Sequence, residues 1–403
     1  MRPSRRHELA ERVCQHRARL EQTLLEIAER GTALSKTEAR LIIEAADLRL
    51  AEVERELRCT TLRFLGIPTG RLRRFLRRLR GLFQPRIGRL QHYPARPLQL
   101  PASYQRAKPP QPAPVISVVT PSFQHGRFIE RTIESVVGQD YPALEYIVQD
   151  GGSTDETIDI LERVSDRLTR WASAPDDGQA EALNRGFQWT TGEIMGWLNS
   201  DDLLLPGSLA CIAQYFMSHP ETDVVYGNRV MIDDNDGQIG AWILPPHDDL
   251  ALTLADYIPQ ETLFWRRPIW DAAGGGLDED FSYALDWDLL LRFRNVGARM
   301  VRLPRYLGAF RIHKGQTTSL EHALGLAEMA RLRERVHGRP VELGEVHERL
   351  RPYLRRHVGA HVRQRVVERL PIARVRVDIR STERRSIPGA PAQNLIHGAP
   401  ARK

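Results

Sequence analysis

The stretch ISVVTPSFQHGRFIERTIESVVGQDYPALEYIVQDGGSTDETIDIL, residues 116–161, decides the fold. It alternates two short runs rich in β-branched residues, ISVVT and LEYIVQD, with two segments of helical periodicity, RFIERTIESVVGQ and ETIDIL. Such alternation is typical of βαβ units, in which parallel strands form a sheet that helices cover on both faces. Each apolar run ends abruptly, the first in Pro-Ser and the second in Asp-Gly-Gly.

The same alternation continues toward residue 320. EIMGWLNSDD and DVVYGNRVMI have the composition of strands, whereas GQAEALNRGF and PGSLACIAQYFMSH have the periodicity of helices. The sequence therefore predicts an α/β domain over residues 115–320, with a mainly parallel central sheet flanked by helices.

The regions outside this domain have different compositions. Residues 1–65 carry two helical patterns, the second with Leu34, Leu41 and Leu48 at heptad spacing, which predicts a helical hairpin or coiled coil and homo-oligomer formation. Residues 66–114 combine a basic amphipathic helix at 70–83 with a Pro-rich segment that predicts an extended linker. Residues 321–403 predict a helical extension followed by a disordered tail.

Composition and charge restrict the class of protein. The 403 residues contain 41% hydrophobic and 27% charged residues, which is ordinary for a globular chain with more than one domain. The three cysteines are far apart, which argues against a disulfide framework or a cysteine zinc site. With neither a signal-peptide core nor an apolar run that could span a membrane, the sequence predicts a cytoplasmic protein.

The positive charge indicates an anionic partner. The net charge is +7, and no Asp or Glu occurs from residue 57 to residue 129, where Arg is frequent. In the 70–83 helix, Leu and Phe form one stripe and Arg fills the other face. This pattern favours an anionic membrane surface over nucleic acid and predicts peripheral association with the inner face of the membrane.

Polar side chains at the strand ends indicate a ligand site, because ligands of open α/β sheets bind beyond the carboxyl ends of the strands. Asp201 and Asp202 would repel each other unless a divalent metal, Mg²⁺ or Mn²⁺, lay beside them; the alternative is a helix N-cap. Asp150 could accept a hydrogen bond from the imide of a uracil or thymine, or serve only in a turn. Phe123 could stack on a base or belong to the core.

Taken together, three motifs in order resemble the family 2 glycosyltransferases, inverting enzymes of the GT-A fold. They are the stretch quoted first, GWLNSDDLLLPGSL, and SYALDWDLLLRF, and the resemblance runs from about residue 115 to about residue 318. It implies a GT-A type sheet, a nucleotide-diphosphate-sugar donor and a divalent metal, Mg²⁺ or Mn²⁺. The implied acceptor is a glycan or a lipid-linked glycan, as in cell-surface polysaccharide or glycolipid synthesis.

The resemblance also implies roles for single residues. Asp286 would be the general base that takes the proton of the acceptor hydroxyl, and Gln260 would face donor or acceptor. The residues implied to bind the donor are Pro121, Phe123, Asp150, Asp177, Arg185 and Asp201. The residues implied to hold the metal are Asp201, Asp202 and His313.

Three positions depart from the family pattern: Gln149, Asn199 and Leu285 stand where the family often has an acidic residue. Two other classes of function stay open. A nucleotidyltransferase would carry a Gly-rich basic loop after the first strand, whereas TPSFQHGRF has one Gly and one Arg. A non-enzymatic membrane adaptor would use the basic helix alone.

Overall fold

The computed structural model describes residues 84–313, 315, 322–367 and 374–377. The predicted helical hairpin at 1–65, the basic helix at 70–83 and the tail after residue 377 lie outside the described residues. The chain divides into two compact units at Phe83 and Gln84, and every described residue belongs to the second unit. Within the described part of the chain, no helix is long and apolar enough to cross a membrane.

A nine-stranded mixed sheet forms the centre of the second unit, in the order β4-β3-β2-β5-β9-β7-β10-β6, with β8 beside β7. Its strands are β2 (Ile116–Ser122), β3 (Leu144–Asp150), β4 (Arg170–Ser173), β5 (Ile194–Trp197), β6 (Leu203–Leu204), β7 (Val224–Ile232), β8 (Gln238–Trp242), β9 (Phe264–Arg266) and β10 (Met300–Arg311). The pairings make six strands run one way, namely β2 to β5, β7 and β10, while β6, β8 and β9 run in reverse. The predicted α/β fold with a mainly parallel sheet is confirmed.

Helices cover both faces of this sheet. They are α1 (Gly126–Val137), α2 (Thr157–Arg163), α3 (Gln179–Phe187), α4 (Ser208–Ser218), α5 (Asp249–Leu252), α6 (Arg267–Ala272), α7 (Leu285–Asn295), α8 (His322–His337) and α9 (Leu343–Val367). Val118 packs in the core beneath α1, α2 and α4, whereas its neighbour Val119 packs in the core beneath α3 and α7. This follows from the two-residue period of a strand, which turns successive side chains to opposite faces.

The Pro-rich segment before β2, for which the sequence predicts an extended linker, packs against the sheet from residue 84 onward. Leu98 and Leu100 are buried beside β7, β8 and β10, and a short strand β1 (Gln99–Pro101) pairs with β11 (Arg374–Arg376). The backbone N–H groups of His92 and Tyr93 donate to the Ile239 carbonyl. The prolines keep this backbone extended, while the leucines between them cover an apolar surface of the sheet.

Candidate active site

The carboxyl ends of β2 and β3 form one side of the candidate site. Ser122 and Asp150 are aligned partners at the carboxyl ends of β2 and β3. Pro121 is buried within β2, whereas the Phe123 ring, one residue beyond the strand, is 58% exposed. An exposed aromatic ring beside a strand end is a surface on which a base can stack, so the alternative of a core position for Phe123 is excluded.

Asp150 organises the turn after β3. Its buried carboxylate accepts hydrogen bonds from the backbone N–H groups of Gly152 (3.0 Å) and Ser153 (2.8 Å), and from the hydroxyls of Ser153 (2.6 Å) and Ser173 (2.7 Å). Gly152 has φ of +85°, which only glycine adopts without strain. Three of these bonds go to Oδ2 and one to Oδ1, and together they shape the turn between β3 and α2.

The structure places Asp176, and not the predicted Asp177, on this side of the site. A Cβ added at Gly151 would lie 2.7 Å from Asp176 Oδ2, so that carboxylate is next to the Asp150 turn. Asp177 is exposed, and its backbone N–H donates to Glu181. The sequence prediction missed Asp176, since two adjacent aspartates ahead of a glycine give no local signal of which one faces the sheet.

Arg185, a second residue predicted to bind the donor, lies on α3 and connects this helix to the loop that precedes it. Its guanidinium donates to the Pro175 carbonyl (2.9 Å) and pairs with Glu181. Gln260 donates its amide to the Trp197 carbonyl at the end of β5 (2.9 Å), and its buried Oε1 has no partner among the described residues. In this structure both side chains therefore donate hydrogen bonds to backbone carbonyls near the strand ends.

A cluster of metal-ligating side chains lies beyond the end of β5. His125, Asp201 and His313 each offer one ligand atom, and these atoms all lie within 4.8 Å of one another. His313 Nε2 is 3.0 Å from Asp201 Oδ2, and His125 Nδ1 is 2.6 Å from Ser200 Oγ. Burial alone would raise the pKa of Asp201, but the His313 hydrogen bond and the nearby His125 hold that pKa below its ordinary value. Two imidazoles and a carboxylate are a donor set that fits a divalent cation.

The Asp202 side chain is hydrogen-bonded to β10 and not to these three side chains. It is 1% exposed, and its Oδ1 accepts the backbone N–H of Arg311 (2.8 Å). Burial raises the pKa of Asp202 well above its ordinary value, and the charges of Asp201 and Glu261 raise it further. The Arg311 guanidinium, itself fully buried, donates to the Asp201 carbonyl (2.7 Å). The structure therefore brings Asp201 and His313 together as predicted, adds His125, and ties Asp202 to β10.

The predicted base, Asp286, lies at the start of α7. Its Oδ1 accepts the backbone N–H of Trp287 (2.8 Å), and burial raises the pKa of Asp286 to about 6. Asp288, two residues on, is fully buried and bound by Arg292 (2.8 Å) and Arg335. The two carboxylates thus have different environments, and the pKa of Asp286, about 6, suits proton transfer near neutral pH.

A buried ion pair affects the pKa of two carboxyls described above, Asp202 and Asp286. Arg229 Nε donates to Glu261 Oε1 (2.8 Å), and the Glu261 side chain is fully buried. The charges of this pair act on the pKa of Asp202 and on that of Asp286. Because such effects fade with distance, Asp202 and Asp286 lie in the same region of the structure.

Comparison with known proteins identifies the family. Residues 117–270 match the family model described as Glycosyl transferase family 2. A PGL/p-HBAD biosynthesis glycosyltransferase of Mycobacterium bovis is 29% identical over 185 residues, which cover 45% of this chain and 70% of the relative. The O-antigen biosynthesis protein RfbC of Myxococcus xanthus is 27% identical over 218 residues, which cover 53% of this chain and 17% of RfbC.

Among solved structures, S. aureus TarS 1-349 in complex with UDP-GlcNAc aligns with a TM-score of 0.46 and 18% identity. The alignment covers 61% of this chain and 73% of the TarS chain. The family match contains the ends of β2, β3 and β5, and it stops before Asp286 and His313, whose roles rest on the geometry. The predicted resemblance is confirmed over residues 117–270, which match the model of glycosyl transferase family 2.

Proposed function

We propose that this glycosyltransferase is an inverting, metal-dependent enzyme that moves a sugar from a nucleoside-diphosphate donor to an acceptor hydroxyl. One observation carries the proposal: Asp202, the residue after the Asp201 of the His–Asp–His cluster, and Asp286, a carboxyl with a pKa of about 6, are both within reach of the same buried ion pair. The two parts suit the two needs of sugar transfer, which are charge neutralisation at the leaving group and proton removal from the acceptor.

The donor side of the mechanism uses the strand ends. The exposed ring of Phe123 offers a face for the nucleobase, and the turn organised by Asp150 lines the same side of the site. Asp201 and His313, with His125, would hold a divalent cation, which would supply positive charge to the diphosphate leaving group. Asp202 and Arg311 keep the Asp201 backbone in place by hydrogen bonds.

The acceptor side uses Asp286. With a pKa of about 6, its carboxyl is ionised at neutral pH and is basic enough to take the proton of an attacking hydroxyl. The acceptor oxygen then forms a bond to the anomeric carbon as the bond to the diphosphate oxygen breaks on the opposite face. A single displacement of this kind inverts the anomeric configuration.

The relatives support a role in the synthesis of cell-surface glycans or glycolipids. The M. bovis relative is a biosynthetic glycosyltransferase, and RfbC is an O-antigen biosynthesis protein. We therefore place the acceptor of this chain among surface polysaccharides and lipid-linked glycans.

A screen of sugar nucleotides tests the proposal. The full chain is incubated with UDP-, GDP- and dTDP-sugars in the presence and absence of Mn²⁺, and release of the nucleoside diphosphate is measured. At least one donor is expected to be turned over with metal, and Asp202→Ala and Asp286→Asn are expected to lose that turnover. Release of pyrophosphate from a nucleoside triphosphate and a sugar phosphate would instead identify a nucleotidyltransferase. If no nucleotide is bound, the protein is an adaptor without enzymatic activity.

The basic segment at residues 70–83 motivates a second part of the proposal, namely binding to an anionic membrane surface near the acceptor. Flotation with vesicles that contain phosphatidylglycerol tests it. The change of Arg73, Arg77 and Arg80 to Glu should abolish flotation, whereas Arg351→Glu with Arg355→Glu, on the exposed side of α9, should not. Undiminished flotation of the triple variant would contradict the surface-binding role.

A further inference from the structure

We propose that His125 is a metal ligand and that, with Asp201 and His313, it forms a His–Asp–His set that selects Mn²⁺, Co²⁺ or Zn²⁺ over Mg²⁺. This inference rests on the proposed function, because it concerns the cation of the same site. It goes beyond that function by naming the third ligand and the class of cation.

The position of His125 is fixed by the elements around it. It immediately precedes α1, and its carbonyl accepts the N–H groups of Phe128 and Ile129, both at 2.9 Å. Its ring lies 6.0 Å from the His313 ring, centroid to centroid, with the planes at 81°. Two imidazoles from distant parts of the chain thus converge on the carboxylate of Asp201.

Ser200 gives one ring nitrogen of His125 a hydrogen-bond partner. Its Oγ lies 2.6 Å from Nδ1, which fixes the orientation of the ring and leaves Nε2 as the nitrogen for the cation. Ser200 itself is held in place because Thr132 Oγ1 donates to its carbonyl (2.8 Å). The ring of His125 is therefore oriented in advance by α1 and by the loop after β5.

Asp202 is not needed as a ligand in this arrangement. Its carboxylate is 1% exposed and bound to the Arg311 N–H, so it contributes to the loop geometry rather than to the cation. The donor set then has two nitrogens and one carboxylate oxygen in place of two carboxylates. Imidazole nitrogen favours transition-metal cations, whereas Mg²⁺ prefers oxygen ligands and water.

Direct metal binding tests this inference without an enzymatic assay. The affinity of the full chain for Mn²⁺ is measured from the electron paramagnetic resonance signal of free Mn²⁺, and that for Mg²⁺ by competition. We expect the wild type to prefer Mn²⁺, and His125→Ala to lose at least about tenfold in Mn²⁺ affinity with little change for Mg²⁺. His219→Ala is the matched control, since the His219 side chain hydrogen-bonds to Ser218 and to the Tyr215 carbonyl at the end of α4 and should not alter either affinity.

A second measurement keeps the inference testable if His125→Ala folds poorly. Electron spin echo modulation of bound Mn²⁺ in the wild type should show ¹⁴N coupling from imidazole, and His125→Gln should weaken it. Wild-type Mn²⁺ affinity in His125→Ala, or modulation unchanged in His125→Gln, would overturn the role of His125 while leaving sugar transfer intact. Turnover of a sugar nucleotide by a wild type that binds no divalent cation would overturn both this inference and the metal dependence.

Discussion

At the scale of single residues, Asp286 and Asp288 lie on one helix in different electrostatic environments. Asp288 is fully buried and bound by two arginines, so its charge is neutralised and unavailable for chemistry. Asp286 has no arginine at hydrogen-bonding distance among the described residues, and burial raises its pKa to about 6. The environment, and not the residue type, raises the pKa of Asp286 and would let it act as the proposed base.

We predict that Asp286→Asn lowers kcat by at least about 100-fold, because general-base catalysis of this kind contributes about 10²- to 10⁴-fold. The affinity for the donor should be unchanged, since Asp286 acts on the acceptor. Asp271→Asn, at an exposed position on α6, serves as the control and should retain wild-type kinetics. Full activity of Asp286→Asn would remove this residue from the mechanism.

The pKa of Asp286 also predicts a pH dependence. A base is active when deprotonated, so a raised pKa moves the loss of activity upward: kcat should be constant above about pH 7 and fall about tenfold per pH unit below pH 6. Arg229, Glu261, Asp256 and Tyr283 are the charged or titratable groups within reach of this carboxyl. The profile is measured with Mn²⁺ saturating at each pH, so that metal binding does not limit the rate. Constant activity down to pH 4.5 would contradict the assignment.

At the scale of elements, the tip of the β7–β8 hairpin (residues 233–237) connects the two segments that bear the histidines. Asp236 accepts hydrogen bonds from Arg131 of α1 (2.8 Å) and from Arg311 of β10 (2.6 Å). His125 immediately precedes α1, and His313 follows β10 by two residues. The Asp236 carboxylate therefore restrains the two chain segments that carry His125 and His313.

We predict that Asp236→Asn weakens Mn²⁺ binding and lowers the free energy of unfolding by about 3 kcal/mol, because it leaves the buried Arg311 guanidinium without its counter-charge. Asp234→Asn is the matched control, since its pair with Arg127 has 37% and 60% of the side chains exposed. That change should cost less than about 1 kcal/mol. Urea unfolding and Mn²⁺ titration of both variants measure the difference. Equal effects of the two changes would contradict the role of the hairpin tip.

Local patterns in the sequence predicted what depends on neighbours along the chain. The alternation of strands and helices follows from periodicity, and the proximity of Asp201 to His313 follows from the family motifs. The contacts of His125 with Ser200 and of Leu98 with the sheet edge join residues far apart in sequence. No local period reports such contacts, which depend on how the completed elements pack.

At the scale of the whole molecule, the C-terminal helices support the site. Glu328 of α8 is buried and accepts the backbone N–H groups of Ser282 (3.1 Å), Tyr283 (3.0 Å) and Ala284 (2.8 Å), just before Asp286. The predicted helical extension is present from residue 322 to residue 367, and it packs against the segment that carries the base. The catalytic unit thus continues well beyond residue 270, where the family match ends.

We predict that Glu328→Gln lowers kcat by about tenfold or more, because the neutral amide accepts these N–H groups less strongly and the start of α7 loses its fixed position. The donor affinity should change little, since the strand ends are not in contact with Glu328. Glu334→Gln, at an exposed position on the same helix, is the control and should behave as wild type. Equal kcat values in the two variants would show that α8 serves stability alone.

The anomeric configuration of the product shows whether transfer occurs by a single displacement. With a donor identified by the nucleotide screen, the anomeric proton of the product is followed by nuclear magnetic resonance, and its coupling constant gives the configuration of the new bond. Direct attack by a hydroxyl that Asp286 deprotonates predicts a product of opposite anomeric configuration to the donor. A product that retains the configuration of the donor would contradict the single displacement on which this account rests.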